Sequence, residues 1–192
     1  MCNEAARRIA LHQLRADWSQ TRIPLTFPEG APNMAPLDSV RITDPTVIIR
    51  GGPAEAELVT RRWSWPGPGG KPVYNFRSDG RTLEKGRCLI PVDRFFEFTA
   101  PDDPKAKRKT KWAFRLAGHD WFCIAGLWRA DAQVGEAFTM LTCPPGPDMA
   151  PYHGRQVVVL GRDDWARWLD PAVPATALCR PAPAGTLLVE RA

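Results

Sequence analysis

Cysteine stands at position 2, directly after the initiating methionine. Removal of Met1 would leave Cys2 with a thiol and a free α-amine, a 1,2-aminothiol that no internal cysteine offers. Such an amine condenses with an aldehyde to an imine, and the thiol then closes on the imine carbon to give a five-membered thiazolidine. An unperturbed α-amine titrates near ~7.7–8.0 and lysine near ~10.4, so at neutral pH the former is partly unprotonated and nucleophilic while lysine stays charged. The same sulfur, activated by a base, attacks a carbonyl as a peptidase nucleophile. The plain alternative is a cysteine without a role at a frayed chain start. Residue type alone leaves all three readings open.

Three further segments carry matching chemistry. In Tyr74-Asn75-Phe76-Arg77-Ser78, the Asn75 amide can fix a carbonyl or an amine, and Arg77 can hold a phosphate in a bidentate pair. In Phe95-Phe96-Glu97-Phe98, strand alternation puts Glu97 on the face of Phe95. Aromatic neighbours there would desolvate the carboxyl, raise its pKa and make it a proton donor at neutral pH. A solvent-facing Glu97 on an ordinary alternating strand is the competing reading. In Tyr152-His153-Gly154-Arg155, His153 lies in a loop ahead of a very apolar strand. Loops on a rigid scaffold often carry catalytic groups, and histidine moves protons near neutral pH. An incidental surface histidine fits equally well.

The elements that must position these residues are short. Twenty prolines and fifteen glycines punctuate 192 residues. Ala6, Ile9, Ala10, Leu14 and Trp18 form one stripe, which predicts a helix over 4–18. Pro28–Pro36 reads as a loop and 66–72 (PGPGGKP) as an exposed turn. Strands are predicted at 46–50, 56–63, 88–93, 94–99, 112–117, 121–128, 137–142, 156–160 and 186–190. Gly118-His119-Asp120 reads as a hairpin connection, Asp163-Asp164 as the start of a short helix through Leu169, and 171–183 as an extended tail. Many short strands with two or so helices predict an α+β fold, a strongly bent sheet or open barrel with a few flanking helices, in a single domain over 1–192.

Composition narrows the function classes. No run of about 18 apolar residues exists, and the start of the chain has no apolar h-region, so no membrane span and no secretory signal are expected. Five scattered cysteines without a CxxC pair, and three distant histidines, argue against a zinc site and for a reducing, cytoplasmic setting. Cys88 and Cys123 lie in apolar runs and read as small core residues. A net charge of +5 is compatible with a polyanionic partner. Some of the eight tryptophans would serve as platforms for bases. The basic run 105–111 (KAKRKTK) reads most simply as a solvated loop, with a phosphate-binding patch as the alternative.

Met1-Cys2-Asn3, Asn33-Met34-Ala35-Pro36, the tryptophan-rich 61–66, Asn75-Phe76-Arg77-Ser78, Gly86 to Asp93 leading to Phe96-Glu97-Phe98, and His153-Gly154-Arg155 followed by 157–160 occur in that order. The ordered set resembles the SRAP (SOS response-associated peptidase) family over essentially the whole chain. The resemblance implies a sensor and shield for abasic sites in single-stranded DNA, acting in the DNA-damage response. Met1 would be removed and Cys2 would form a thiazolidine DNA–protein crosslink. It further implies that Asn75 positions the amine and the sugar, that Glu97 is the general acid/base, and that His153 assists proton transfer and crosslink reversal. Arg77 and Arg155 would bind phosphates, Pro36 and one of Trp63 and Trp65 would meet the neighbouring bases, and Thr142 is a weaker phosphate contact. No cofactor and no metal are implied, and a monomer is expected.

This chain departs from the family pattern in three places. Asn3-Glu4 replaces the Gly-Arg found in many members, bringing a carboxyl that could perturb local charge. The stretch between Ser78 and Gly86 is short. Phe96 stands where a tyrosine is common, which would remove a hydrogen bond that tunes Glu97. Besides covalent abasic-site processing, with autopeptidase and lyase-like Schiff-base chemistry, two other functions are compatible with these residues. One is a cysteine peptidase built on Cys2, His153 and Glu97. The other is a non-covalent reader of modified DNA.

Overall fold

A computed structural model describes residues 2–103 and 105–192. In chain order its strands are β1 (Glu4–Arg7), β2 (Leu25–Thr26), β3 (Leu37–Arg41), β4 (Pro45–Gly51), β5 (Ala56–Trp63), β6 (Trp65–Pro66), β7 (Pro72–Val73) and β8 (Asn75–Arg77). There follow β9 (Arg87–Val92), β10 (Arg94–Thr99), β11 (Thr110–Leu116), β12 (Phe122–Asp131), β13 (Gly135–Cys143), β14 (Gln156–Val157), β15 (Val159–Leu160) and β16 (Leu187–Arg191). Two helices, α1 (Leu11–Trp18) and α2 (Arg162–Leu169), complete the α+β fold. No helix among the described residues is long and apolar enough to cross a membrane.

A closed ring forms the centre. Neighbouring strands β13, β12, β9, β4 and β5 pair antiparallel, and a parallel pairing of β13 with β5 closes the circle. Along each ring strand, residues alternate between the ring's interior and an outer layer. Ile48, Cys88, Ile90, Ile124, Phe138 and Met140 share one cluster, while Val47, Ile49, Leu89, Cys123, Ala125 and Leu141 belong to the other. Both faces are therefore covered, which is why these strands read as unbroken apolar runs. At Gly126 the ring is so tight that a Cβ would stand 2.6 Å from Ile90 Cδ1 and 2.7 Å from the Thr139 carbonyl oxygen. Cys88 and Cys123 are fully buried core residues.

The outer layer lies under the two helices. Trp165 of α2 stacks on Trp18 of α1 at 6.1 Å and meets Trp121 at a tilt of 36°, 4.6 Å away. Each buried indole N–H donates to a partner: Trp18 to Ile23 O, Trp121 to Asp17 Oδ2, Trp165 to Leu160 O and Trp168 to Cys88 O. Asp163 and Asp164 occupy the first turn of α2 and Arg167 the last, in line with the helix dipole.

A second, five-stranded antiparallel sheet in the order β16-β11-β10-β1-β3 covers one side of the ring. The chain steps into it at Asp93, between β9 and β10, and leaves it between β11 and β12. The predicted Gly118–Asp120 hairpin is therefore a crossing between sheets: β11 pairs with β10 and β16, and β12 with β9, β13 and β15.

The predicted helix over 4–18 also divides. Glu4–Arg7 is a fully buried strand between β10 and β3, and the helix begins only at Leu11. Pairing on both sides outweighs the helical preference of the two alanines. Strands β3 and β8 leave no mark in the apolar pattern, because both expose polar residues at short spacing. Residues 105–109 are exposed, as a solvated loop should be, but Lys111 belongs to β11 and is half-buried.

Candidate active site

Cys2 is 1% exposed and packs into the ring-side cluster with Phe95, Trp63 and Met140. It is held at three points. Its backbone N–H donates to the Glu97 carboxylate. Its carbonyl accepts from Asn75 Nδ2 at 2.7 Å. Its Sγ donates to Glu4 O at 3.3 Å. Burial, reinforced by the charge of Glu97, pushes the thiol up to about 12, so at neutral pH the sulfur keeps its proton.

The rest of β1 secures this arrangement. Arg8 N–H donates to Asp93 Oδ2 at 2.6 Å, and Asp93 N–H donates to Ala6 O at 3.0 Å. The buried Arg7 reaches Ala35 O at 2.9 Å, which ties the loop carrying exposed Pro36 to the same strand.

Glu97 is 3% exposed, which rules out the solvent-facing reading. Burial raises its pKa, and the charge of His153 and the Cys2 N–H only partly offset this. Its surroundings come from cross-strand pairing, since Glu97 lies opposite Trp112 in the β10–β11 register and the two side chains share a face. Trp112 meets Tyr152 edge-on at 4.9 Å, and Phe114 meets the same ring at 5.3 Å. Tyr152 thus docks its turn on β11 and brings His153 beside Glu97. Arg155 N–H lies 2.9 Å from His153 Nδ1, and the same nitrogen lies 3.2 Å from Arg155 O, so the Arg155 backbone fixes the ring's orientation.

Asn75 and Arg77 share one face of β8, which lies parallel to β13. Asn75 Oδ1 is buried and without a partner among the described residues, an open acceptor next to the Cys2 backbone. Arg77 is exposed and makes no ion pair among the described residues. Arg155 is occupied: its Nη2 contacts Asp79 Oδ2 at 2.5 Å, Thr142 O at 2.8 Å and Thr142 Oγ1 at 3.2 Å. The Arg155 hydrogen bond holds Asp79 below the usual carboxylate range. Thr142 is buried and acts on Arg155 rather than facing outward.

Three expectations need correction. Trp63 is fully buried, flat on Phe138 at 6.4 Å with its indole N–H on Tyr74 O, and offers no face to a base. Trp65 is 6% exposed beneath the Arg129 guanidinium, so it too lacks an open face. Phe96 points away from Glu97, into a small cluster with Ala6 and Ala113 under Lys111. A tyrosine hydroxyl at that position would not reach Glu97. Met1, whose removal the Cys2 chemistry requires, lies outside the described residues.

Residues 1–191 match the model of the family described as SOS response associated peptidase (SRAP). The chain belongs to the SRAP family. Among curated relatives, abasic site processing protein YoaM of Bacillus subtilis (strain 168) is 32% identical over 122 residues, covering 62% of this chain and 46% of that protein. Abasic site processing protein YobE of the same organism is 28% identical over 95 residues, covering 47% of this chain and 42% of that protein. The chain thus spans less than half the length of these SRAP relatives. A solved protein from Bordetella bronchiseptica superposes with a TM-score of 0.72 at 20% identity, covering 100% of this chain and 99% of that one. One from Bacteroides thetaiotaomicron gives 0.72 at 15% identity, covering 99% and 91%. At such identities these two matches speak for the SRAP fold alone.

Within this SRAP site, the structure adds residues that sequence reasoning passed over. Trp112 walls Glu97, Tyr152 seats His153, and Asp79 clamps Arg155. Only a strand register or a long-range ion pair identifies them. The one local signal is a tryptophan on a predicted strand.

Proposed function

We propose that this chain captures abasic sites in single-stranded DNA as a covalent thiazolidine through Cys2, once Met1 has been removed. The observation that supports this most is the position of the Cys2 nitrogen on the carboxylate of buried Glu97, with Asn75 holding the adjacent carbonyl. An amine released at that nitrogen would be born beside an acid/base group whose pKa burial has raised.

The chemistry balances without oxidant or cofactor. The unprotonated amine adds to the C1′ aldehyde of the ring-opened sugar to give a carbinolamine. Glu97 protonates the departing hydroxyl, water leaves, and an imine forms. Sγ then bonds to the imine carbon while the thiol proton passes, through Glu97 or His153, to the nitrogen. The products are a thiazolidine and one water. The order of steps follows from the thiol, which at about 12 is a poor first nucleophile. Asn75 Oδ1, a buried open acceptor, suits a hydrogen from the freed amine or a sugar hydroxyl. A nucleotide without a base has little stacking to lose on entering so enclosed a site. Arg77 takes a flanking phosphate directly. Arg155 does so only by exchanging Asp79 for it.

Single-stranded DNA holding one natural abasic site should yield a heat-stable adduct, with an intact mass equal to des-Met protein plus DNA minus water. Cys2→Ala should give none. Equal adduct from Cys2→Ala, or an adduct on protein that retains Met1, would overturn the reading. A peptidase reading has less support, because its nucleophile would have to be a thiolate and burial disfavours one here.

A further inference from the structure

On the far face of β8 from Asn75 and Arg77 lies a cavity of about 580 Å³, lined by Phe76, Arg81, Leu83, Glu84, Lys85 and Leu127. That volume is in the range of sites for nucleotide-sized ligands. It lies along the short 78–86 connection and begins one residue from Arg77. The Arg81 guanidinium lies over the Phe76 ring at 4.6 Å, an aromatic–cation stack at the cavity wall. Buried Leu83 and half-buried Leu127 give the cavity an apolar side, and exposed Thr82, Glu84 and Lys85 make the rest polar.

Among the described residues, the rim carries cations that no neighbouring carboxylate holds. Arg50, Arg61, Arg94, Arg155 and Arg162 each hold a carboxylate. Arg77, Arg81 and Lys85 are exposed and make no ion pair among the described residues. Glu84 is the one carboxylate on the rim. Among the described residues strand β8 pairs only with β13, so its other edge is open. A chain whose phosphate meets Arg77 on one face can round that edge to the cavity on the other.

We propose that this cavity is a second nucleotide subsite, in which the base of a nucleotide flanking the lesion stacks on the Arg81–Phe76 pair and Lys85 meets its phosphate. This rests on the reading that the chain binds single-stranded DNA. Bases stack on guanidinium planes and aromatic rings without regard to sequence, because every base has a π-face. An aromatic ring stacked with a guanidinium, next to an apolar side, suits a planar ring better than a bare phosphate. Glu84 opposes the bound strand's charge and moderates affinity.

The test uses the full chain and an oligothymidylate carrying a tetrahydrofuran abasic analogue, which lacks the aldehyde and cannot crosslink. Binding is read by fluorescence anisotropy across a salt series, and 2-aminopurine is placed in turn at each position beside the analogue. Arg81→Ser should weaken binding by about fivefold or more, the scale of one lost base stack. It should also lower the salt slope and abolish 2-aminopurine quenching at one flanking position. Arg81→Lys keeps the charge but not the plane and should recover little. Glu84→Gln should tighten binding. Phe76→Leu should resemble Arg81→Ser; Phe76 is half-buried, so if that variant fails to fold, the exposed Arg81 variants decide the question. Affinities of Arg81→Ser and Arg81→Lys within twofold of the parent, full recovery by Arg81→Lys, or unchanged quenching would overturn the subsite. Failure of the Cys2 chemistry would show separately, as loss of adduct on a natural abasic site with this binding pattern intact.

Discussion

Glu4 and Glu97 lie on paired strands, one register position apart, and both are buried. Their environments are opposite. Glu4 faces away from the ring, where Lys111 Nζ at 2.8 Å and Ser39 Oγ at 2.8 Å reach its carboxylate. Burial alone would raise its pKa, but these hydrogen bonds and the charges of Lys111 and Arg41 bring it below the ordinary value. Glu97 faces the ring among aromatic side chains, and there burial prevails and raises its pKa. One carboxylate is a fixed charge that fastens β1 to β11, and the other is a buried carboxyl of raised pKa beside Cys2. A single step along a strand separates the two roles, because successive side chains point to opposite faces. The Glu4 that departs from the family pattern is thus neutralised locally, on the side away from the chemistry.

The contrast can be broken most directly by removing each carboxyl in turn. Glu97→Gln should slow adduct formation on abasic single-stranded DNA by about 10²–10⁴-fold, the usual share of a general acid/base, while Glu4→Gln stays within a few-fold of the parent. Comparable losses in both variants would erase the distinction. Next in size is Lys111→Met, which leaves Glu4 with the Ser39 hydrogen bond and the more distant charge of Arg41. It should cost about 1–3 kcal/mol in urea unfolding, as expected for a lost hydrogen bond to a charged group, and leave the adduct rate of the folded protein close to that of the parent.

The pH dependence of stability sharpens the comparison further. Glu97, raised in the folded state, contributes stability that is complete below the unfolded carboxyl pKa of ~4.3 and disappears as pH climbs through its folded value. Glu4, lowered in the folded state, contributes stability present above ~4.3 and lost as pH falls through its folded value. Over the interval from about pH 2 to neutrality, and relative to the parent, Glu97→Gln should therefore gain stability on the rise above ~4.3, and Glu4→Gln should lose it on the rise up to ~4.3. Thermal unfolding of the three proteins over that interval reads both slopes, and slopes of the same sign would contradict the assignment. The smallest effect belongs to Phe96→Tyr. Its hydroxyl would emerge near Lys111 on the Glu4 side, so the adduct rate should change by less than about twofold; a clear change in the pH–rate profile would mean that the two faces communicate.

Much of the architecture is legible in residue order. Strand 56–63 has its predicted bounds, and 94–99 likewise, because turn residues bracket β-rich runs there. The 66–72 turn and the short helix led by Asp163 and Asp164 follow from proline, glycine and charge placement. Local pattern fails for segments whose state depends on a partner distant in sequence. Glu4–Arg7 is a strand because β10 and β3 flank it, and Gly118–Asp120 crosses between sheets because β11 and β12 find different neighbours.

The site divides in the same way. Residue types alone determined that this chain carries a thiol next to its start, an amide, a carboxyl and an imidazole suited to aldehyde chemistry, since those capacities are properties of the side chains. Only the tertiary structure decided that Glu97 is enclosed and Glu4 paired, that Trp63 and Trp65 are covered, that Arg155 is clamped by Asp79, and that Cys2 has its nitrogen on Glu97 and its carbonyl on Asn75. Burial and pairing are set by residues far apart in sequence, as Glu4 and Lys111 are at 107 positions, and no local pattern encodes which of them will meet.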